Sequence, residues 1–573
     1  MAQATPPTPP TPPTPPTSPP GSDHAEPPRR IEIYDTTLRD GTQGVGVSLT
    51  LTDKLAITQL LDELGFDYVE GGYPLSNPKD VAYFEQVQEL ELKHARVCAF
   101  GMTRRKGIAA ADDPGMKALV ASRAPVITIV GKTWDLHVDE VLRISREENL
   151  AMIRDSVAFC AAADHVQQVF YDAEHFFDGY HANPAYALDT LDAALTGGAD
   201  RLVLCDTNGG STPDWIAQTI DRIVDDLQLR HRGEDDAPHV RDRIAIHCHN
   251  DAGLAVANSQ AALAAGAVQV QGTINGIGER CGNVDLLTVI ANARLKLGYD
   301  CLIPGALPRL AELSGRVYEF TAVEPNPGQP YVGHNAFAHK GGMHVHAVQR
   351  LAHSYEHVPP EAVGNRRHIL VSELSGRSNI VAALGEKFGD RVTAEVQNSL
   401  LQKVQDLEHA GYQFEHAAAS LELLMYEALG ERPSFWTRDH YRCVILGVPE
   451  EATQTEAIVK LRVDGQVEHR VAEGDGPVNA LDAALRKSLR PHYPQIDQLH
   501  LVDYAVRVVN PTAESAAKVR ATAAFEATAD DGSRRRFATV GVDENIVDAS
   551  WQALSDAIQY HLIESRVTAP RQA

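Results

Sequence analysis

From residue 31 onward the chain repeats one pattern, a short apolar run followed by a longer stretch whose apolar positions recur every three or four residues. The runs predict strands at Ile31–Asp35, Tyr68–Gly72, Arg96–Phe100, Val126–Val130, Gln167–Tyr171, Arg201–Cys205, Ile244–His247 and Val268–Thr273. The intervals predict helices, among them Thr52–Leu64 and Leu254–Ala265. A doubly wound open sheet also alternates in this way, but eight repeats favour an α/β architecture closed into a (β/α)8 TIM barrel over residues 30–305. Beyond residue 305 the rhythm stops. Residues 306–436 predict a helical linker subdomain, broken by the Pro/Gly-rich stretch Glu324–Pro330 and a His-rich one from His334 to His357. Residues 437–573 predict an α+β domain with an internal repeat. Val478-x-Ala480-x-x-x-Ala484-Leu485 recurs as Val547-x-Ala549-x-x-x-Ala553-Leu554, each after β-like segments, which predicts two β-strand-plus-helix modules.

Residues 1–29 are largely Thr-Pro-Pro repeats. Proline removes backbone donors and favours extended polyproline II, so this segment is expected to be a disordered tail, with docking to a proline-binding module as the alternative. The whole chain carries 77 acidic against 52 basic residues, a net charge of −25, which argues against a general nucleic-acid or membrane-surface role. No apolar stretch approaches a membrane span, and no apolar signal segment stands at the start. The seven cysteines are scattered and form no Cys-x-x-Cys pair, as expected of reduced thiols in a cytoplasmic protein.

The candidate chemistry lies where the predicted strands end. In Ile244-Ala-Ile-His247-Cys-His249-Asn-Asp251 two imidazoles one residue apart face the same side of a strand, about 7 Å apart along it, and can converge on one ion. The first strand closes on Asp35-Thr-Thr-Leu-Arg39-Asp40-Gly41, the sixth on Asp206-Thr207-Asn208-Gly209, and the eighth on Gly276-Ile-Gly-Glu-Arg-Cys-Gly-Asn283. The last resembles a dinucleotide loop only superficially, because Cys281 stands where that motif needs glycine. A carboxylate, two imidazoles and an amide oxygen form a mixed N/O donor set suited to Zn²⁺, Mn²⁺ or a similar divalent ion. Such an ion polarises a carbonyl, and an adjacent arginine steadies an oxyanion.

Together these motifs resemble the metal-dependent Claisen-condensing barrels, the family of isopropylmalate, homocitrate and citramalate synthases, with a hydroxymethylglutaryl-CoA-cleaving lyase in the wider superfamily. Tyr34–Gly44, Glu70-Gly-Gly-Tyr-Pro74, Tyr171-Asp-Ala-Glu-His175 and Ser372-Glu-Leu-Ser-Gly-Arg-Ser378 are most similar to the group that joins acetyl-CoA to pyruvate and releases CoA. The resemblance implies that Asp40, His247, His249 and Asn283 surround a divalent ion (Mn²⁺, Mg²⁺, Co²⁺ or Zn²⁺). It implies that Arg39 lies beside the keto acid, that Thr207 holds its carboxylate, and that Glu174 is a catalytic base. His344, in Lys340-Gly-Gly-Met-His-Val-His346, is matched to a histidine that the helical subdomain sends over the barrel mouth. His346 stands where several relatives carry aspartate.

The implied reaction is abstraction of a methyl proton from acetyl-CoA, attack of the enolate on the keto carbon, and thioester hydrolysis. The C-terminal domain is similar to a leucine-binding regulatory domain, which implies a homodimer with isoleucine, or leucine, as effector, and no nucleic-acid or membrane partner. The rival readings are an isopropylmalate synthase, an aldol-type lyase and a catalytically silent amino-acid sensor.

Overall fold

The computed structural model describes residues 28–231, 239–371, 377–447, 454–510, 517–529 and 532–567. The expectation of a disordered tail, up to residue 27, and the motif segment Ser372–Gly376 lie outside these residues. The described chain divides into two compact units. The first runs to Ala336 and takes in Pro360–Arg366; the second comprises Phe337–Pro359 and the residues from Arg367 onward.

The first unit is a closed parallel barrel of eight strands in sequence order. They are β1 (Glu32–Asp35), β2 (Tyr68–Gly72), β3 (Arg96–Met102), β4 (Val126–Lys132), β5 (Gln168–Glu174), β6 (Arg201–Asp206), β7 (Ile244–Cys248) and β8 (Gln269–Gly272). Local sequence explains the elements between them. In the helix Leu51–Leu64, Thr50 accepts from the Asp53 amide while Asp53 accepts from the Thr50 amide, and Gly65 ends it in a left-handed conformation at φ 81°. All eight expected strands are present, with shifted ends. β4 and β5 run on to Lys132 and Glu174, which pair across the ladder. A ladder is made by backbone groups and continues through polar residues, so the end of an apolar run underestimates a strand. The barrel centre is filled by a cluster that includes Tyr34, Tyr68, Cys98, Val126 and Phe170.

In the second unit, two short strands, β9 (Ala338–His339) and β10 (His368–Ile369), pair in parallel. Helices follow at Arg377–Phe388, Ala394–His409 and Ala418–Ala428. Next come two modules of one design, three antiparallel strands and a helix. The first holds β11 (Thr437–Leu446), β12 (Gln454–Val463), β13 (Gln466–Gly474) and the helix Pro477–Leu489. The second holds β14 (Leu499–Val508), β15 (Val519–Thr528), β16 (Arg534–Asp543) and the helix Ile546–Glu564. The repeated alanines and leucines are buried in both copies: Ala480, Ala484 and Leu485, like Ala553 and Leu554, lie in the shared core, and Ala549 is fully buried as well. All seven cysteines are unpaired thiols. Among the described residues no helix is long and apolar enough to cross a membrane.

At Gly272, at the end of β8, the barrel wall is tight beside the candidate site. A Cβ there would meet the Val284 side chain and lie 2.7 Å from the Val284 carbonyl oxygen, one residue from Asn283. Gly272→Ala is expected to lower the urea midpoint of the barrel by an amount equivalent to about 1–3 kcal/mol, the usual cost of overpacking. An unchanged midpoint would contradict this packing.

Candidate active site

The turn after β1 delivers both Arg39 and Asp40 to the carboxyl ends of the strands. β7 delivers His247, and the chain just beyond it His249. His249 therefore lies past the strand end, where an isolated antiparallel bridge to Asn283 fixes its backbone. One donor atom from each of Asp40, His247 and His249 falls within 4.8 Å of the others. The Asp40 Oδ2 is 3.3 Å from His247 Nε2 and 4.0 Å from His249 Nε2. All three side chains are buried.

Electrostatics match this geometry. Burial alone would raise the Asp40 carboxyl, but Arg39 and the two imidazoles hold it well below the usual carboxylate range. Burial and the neighbouring His247 push His249 down to about 4, so its ring is neutral and carries a free lone pair at neutral pH. Burial lowers His247 too, yet the Asp40 carboxylate outweighs it and the net shift is upward. Asn283 is buried, and its Oδ1 has no hydrogen-bond partner while its Nδ2 donates to the Ile277 carbonyl at 3.3 Å. A buried acceptor without a donor is costly. Two imidazoles, a carboxylate and an orphaned amide oxygen fit a divalent cation, and these residues are suited to hold one.

Arg39 is fixed from behind. Its Nε donates to Glu70 Oε2 at 2.6 Å, its guanidinium lies 3.9 Å from the centre of the Phe100 ring, and NH1 is 3.6 Å from Asp40 Oδ2. Glu70 is fully buried in the middle of β2. It also accepts from the Tyr34 hydroxyl at 2.8 Å and from the Thr36 hydroxyl. The loop that follows is pinned by Lys54, which donates to the Gly71 carbonyl at 2.8 Å and to Asp80 at 2.6 Å.

A cavity of about 910 Å³ opens beside these groups. Arg39, Asp40, Glu174, Thr207, His247 and His249 all border it. Glu174, at the end of β5, forms an ion pair with Lys132 at the end of β4. The Thr207 hydroxyl accepts from the His175 amide at 2.8 Å, and the Thr207 carbonyl accepts from Arg280 at 2.7 Å. His344 belongs to the second unit, exposed on the helix Gly342–Arg350 with its ring centre 4.5 Å from that of Tyr355. Four further residues escaped the sequence reading as site residues: Glu70, Lys132, Asp172 and Gln271. Glu70 and Asp172 stood within motifs, and all four sit in barrel strands beside apolar positions that masked them.

Residues 30–305 match the HMGL-like family, 331–411 the homocitrate synthase post-HMGL domain-like family, and 415–562 the LeuA allosteric (dimerisation) domain. An (R)-citramalate synthase of Geobacter sulfurreducens is 46% identical over 93% of this chain and 98% of its own length. One from Synechocystis is 47% identical over 92% of this chain and 96% of its own. A probable 2-isopropylmalate synthase of Methanopyrus kandleri is 34% identical over 81% of this chain and 86% of its own. The fold is that of an HMGL-like barrel enzyme. Within that class the chain belongs to the (R)-citramalate synthase family.

Glu70→Leu removes the counter-charge of Arg39 and leaves a largely buried cation with no partner on that side. Breaking a buried pair in this way typically costs about 3–5 kcal/mol. The variant is expected to unfold at markedly lower urea than the parent chain, followed by tryptophan fluorescence. A change below 1 kcal/mol would mean that Arg39 is held by other contacts.

Proposed function

We propose that this chain condenses acetyl-CoA with pyruvate and water to (R)-citramalate and CoA. The observation that carries the reading is the relationship to (R)-citramalate synthases along nearly the whole chain, joined to the converging Asp40, His247 and His249. When bound by these residues and Asn283, a divalent ion such as Mn²⁺, Mg²⁺, Co²⁺ or Zn²⁺ supplies Lewis acidity toward the keto group of the acceptor.

The protein's own groups account for the rest. Arg39 has its Nε committed to Glu70, so its terminal N–H groups are the donors left for the alkoxide that forms as the carbon–carbon bond closes. Thr207 contributes its hydroxyl to the pyruvate carboxylate. Glu174, ion-paired with Lys132, removes the methyl proton of acetyl-CoA. His344 is assigned the second acid–base role. Unpaired thiols and a strongly acidic surface suit a cytoplasmic setting.

In an assay of CoA release, pyruvate is expected to give a higher kcat/KM than 2-ketoisovalerate by at least tenfold. One methylene in an apolar pocket is worth about 1–3 kcal/mol, which is sufficient. EDTA should abolish turnover and added Mn²⁺ restore it. Preference for 2-ketoisovalerate would reassign the chain to isopropylmalate synthesis, and full turnover in EDTA would remove the metal from the mechanism.

The two C-terminal modules are proposed to pair with those of a second copy and to bind isoleucine, or leucine, as an inhibitor. The match to the LeuA allosteric (dimerisation) domain supports this, as do the apolar side chains left exposed on β11, β13 and β14, including Ile445, Leu446, Val467 and Val502. Light scattering should give a homodimer, and isoleucine should inhibit the full chain but not a still-active variant ending near residue 435. Equal inhibition of both would place the effector elsewhere.

A further inference from the structure

Gln271 lies on β8, fully buried, and none of the roles assigned above uses it. It stands beside His247 in the β7–β8 register. Its Oε1 is 3.1 Å from His247 Nδ1, and its Nε2 donates toward Asp172 Oδ1 at 3.4 Å. Asp172 is on β5, three strands away around the barrel, so the amide reaches through the interior to meet it.

The order of atoms along this chain has a chemical consequence. A primary amide has one accepting end and one donating end. Asp172 presents a carboxyl oxygen, which accepts, so the NH₂ of Gln271 turns toward Asp172 and its carbonyl oxygen turns toward His247. A carbonyl oxygen at Nδ1 selects the imidazole tautomer with the proton on Nδ1, which leaves the lone pair on Nε2. Nε2 is the atom that faces Asp40 at 3.3 Å. With the amide reversed, its NH₂ would face Nδ1, the ring proton would move to Nε2, and His247 would have no lone pair to offer at the donor triad. We propose that Gln271, oriented by Asp172, is a positioning residue that fixes the His247 tautomer for cation binding. The inference rests on the reading of Asp40, His247 and His249 as cation ligands.

The test is Mn²⁺ affinity of the full-length chain by isothermal titration calorimetry, with no substrate present. Gln271→Met keeps the side-chain shape and removes the acceptor. Its affinity is expected to fall about 10–100-fold, as when partners that orient a ligand are lost. Asp172→Asn removes the charge but retains a carbonyl oxygen for Gln271, and its affinity should stay within about threefold of wild type, whereas Asp172→Leu should fall with Gln271→Met. Because the two residues act in series, the double variant Gln271→Met/Asp172→Leu should bind no more weakly than Gln271→Met alone.

Wild-type affinity in Gln271→Met overturns the proposal, and so does additivity in the double variant. Should Gln271→Met fail to fold, the Asp172 pair decides: equal affinities in Asp172→Asn and Asp172→Leu overturn it. A wild-type chain that binds no Mn²⁺ brings down the cation reading together with this one. A metal-binding wild type with an unaffected Gln271→Met brings down this one alone.

Discussion

A guanidinium held between two buried carboxylates is the arrangement on which the barrel mouth depends. Arg39 donates to Glu70 at 2.6 Å and stands 3.6 Å from Asp40. Asp40 lies where burial alone would drive it toward the neutral acid. At these separations one unit charge is worth about 4 kcal/mol at an effective dielectric near 20, comparable to the several kcal/mol that desolvating an ion costs. Arg39 therefore decides whether Asp40 is a carboxylate, and a carboxylate is what both imidazoles face. The arginine is itself anchored, by Glu70 and by the Phe100 ring beneath it. Removing Arg39 takes the shared cation from two buried carboxylates, so stability and chemistry share the same atoms here.

A single environment would give all the carboxyl groups of such a site one protonation state. The barrel avoids this by giving each a different set of neighbours. Asp40 is held low by Arg39 and the imidazoles against the effect of burial. Asp172 is pushed up to about 7 by burial and then by the negative charge of Glu70. Glu174 is paired with Lys132 at the cavity wall. A carboxyl held low, a carboxyl pushed up to about 7 and an ion-paired carboxylate thus occupy one mouth without duplicating one another.

Sequence periodicity carried the barrel because eight strands buried on both faces read as continuous apolar runs, and periodicity reports burial directly. His247 and His249 were legible for the same reason: two imidazoles in an otherwise apolar strand end break the pattern. Gln271 and Asp172 also break it, but a lone amide or acid at a strand end is a common way to meet a turn, and nothing in one dimension says that β8 and β5 face each other across a closed interior. Lys132 lay beyond the apolar run that marked β4, so its pairing with Glu174 appears only once the two strands are seen to extend together. Spacing along the chain reports neighbours within an element, while pairs made across the barrel need its closure.

The C-terminal repeat shows the same limit from the other side. Its small-residue spacing was legible because Ala480, Ala484, Ala549 and Ala553 let each helix settle close on its sheet, a local requirement met twice. What the two modules leave uncovered follows from counting faces. Each three-stranded sheet has two faces, and its helix covers one. The β12 and β15 strands alternate buried and less buried positions along their length, while β11 and β14 are mostly exposed. Exposed strand apolar groups such as Ile445, Leu446 and Val502 gain by being covered. In the proposed dimer they are covered by a second copy, which places any effector pocket at a surface both copies build. An effector held there acts at the barrel only by favouring one arrangement of the chain over another, and whatever factor it takes from substrate affinity, bound substrate takes from the effector's own affinity.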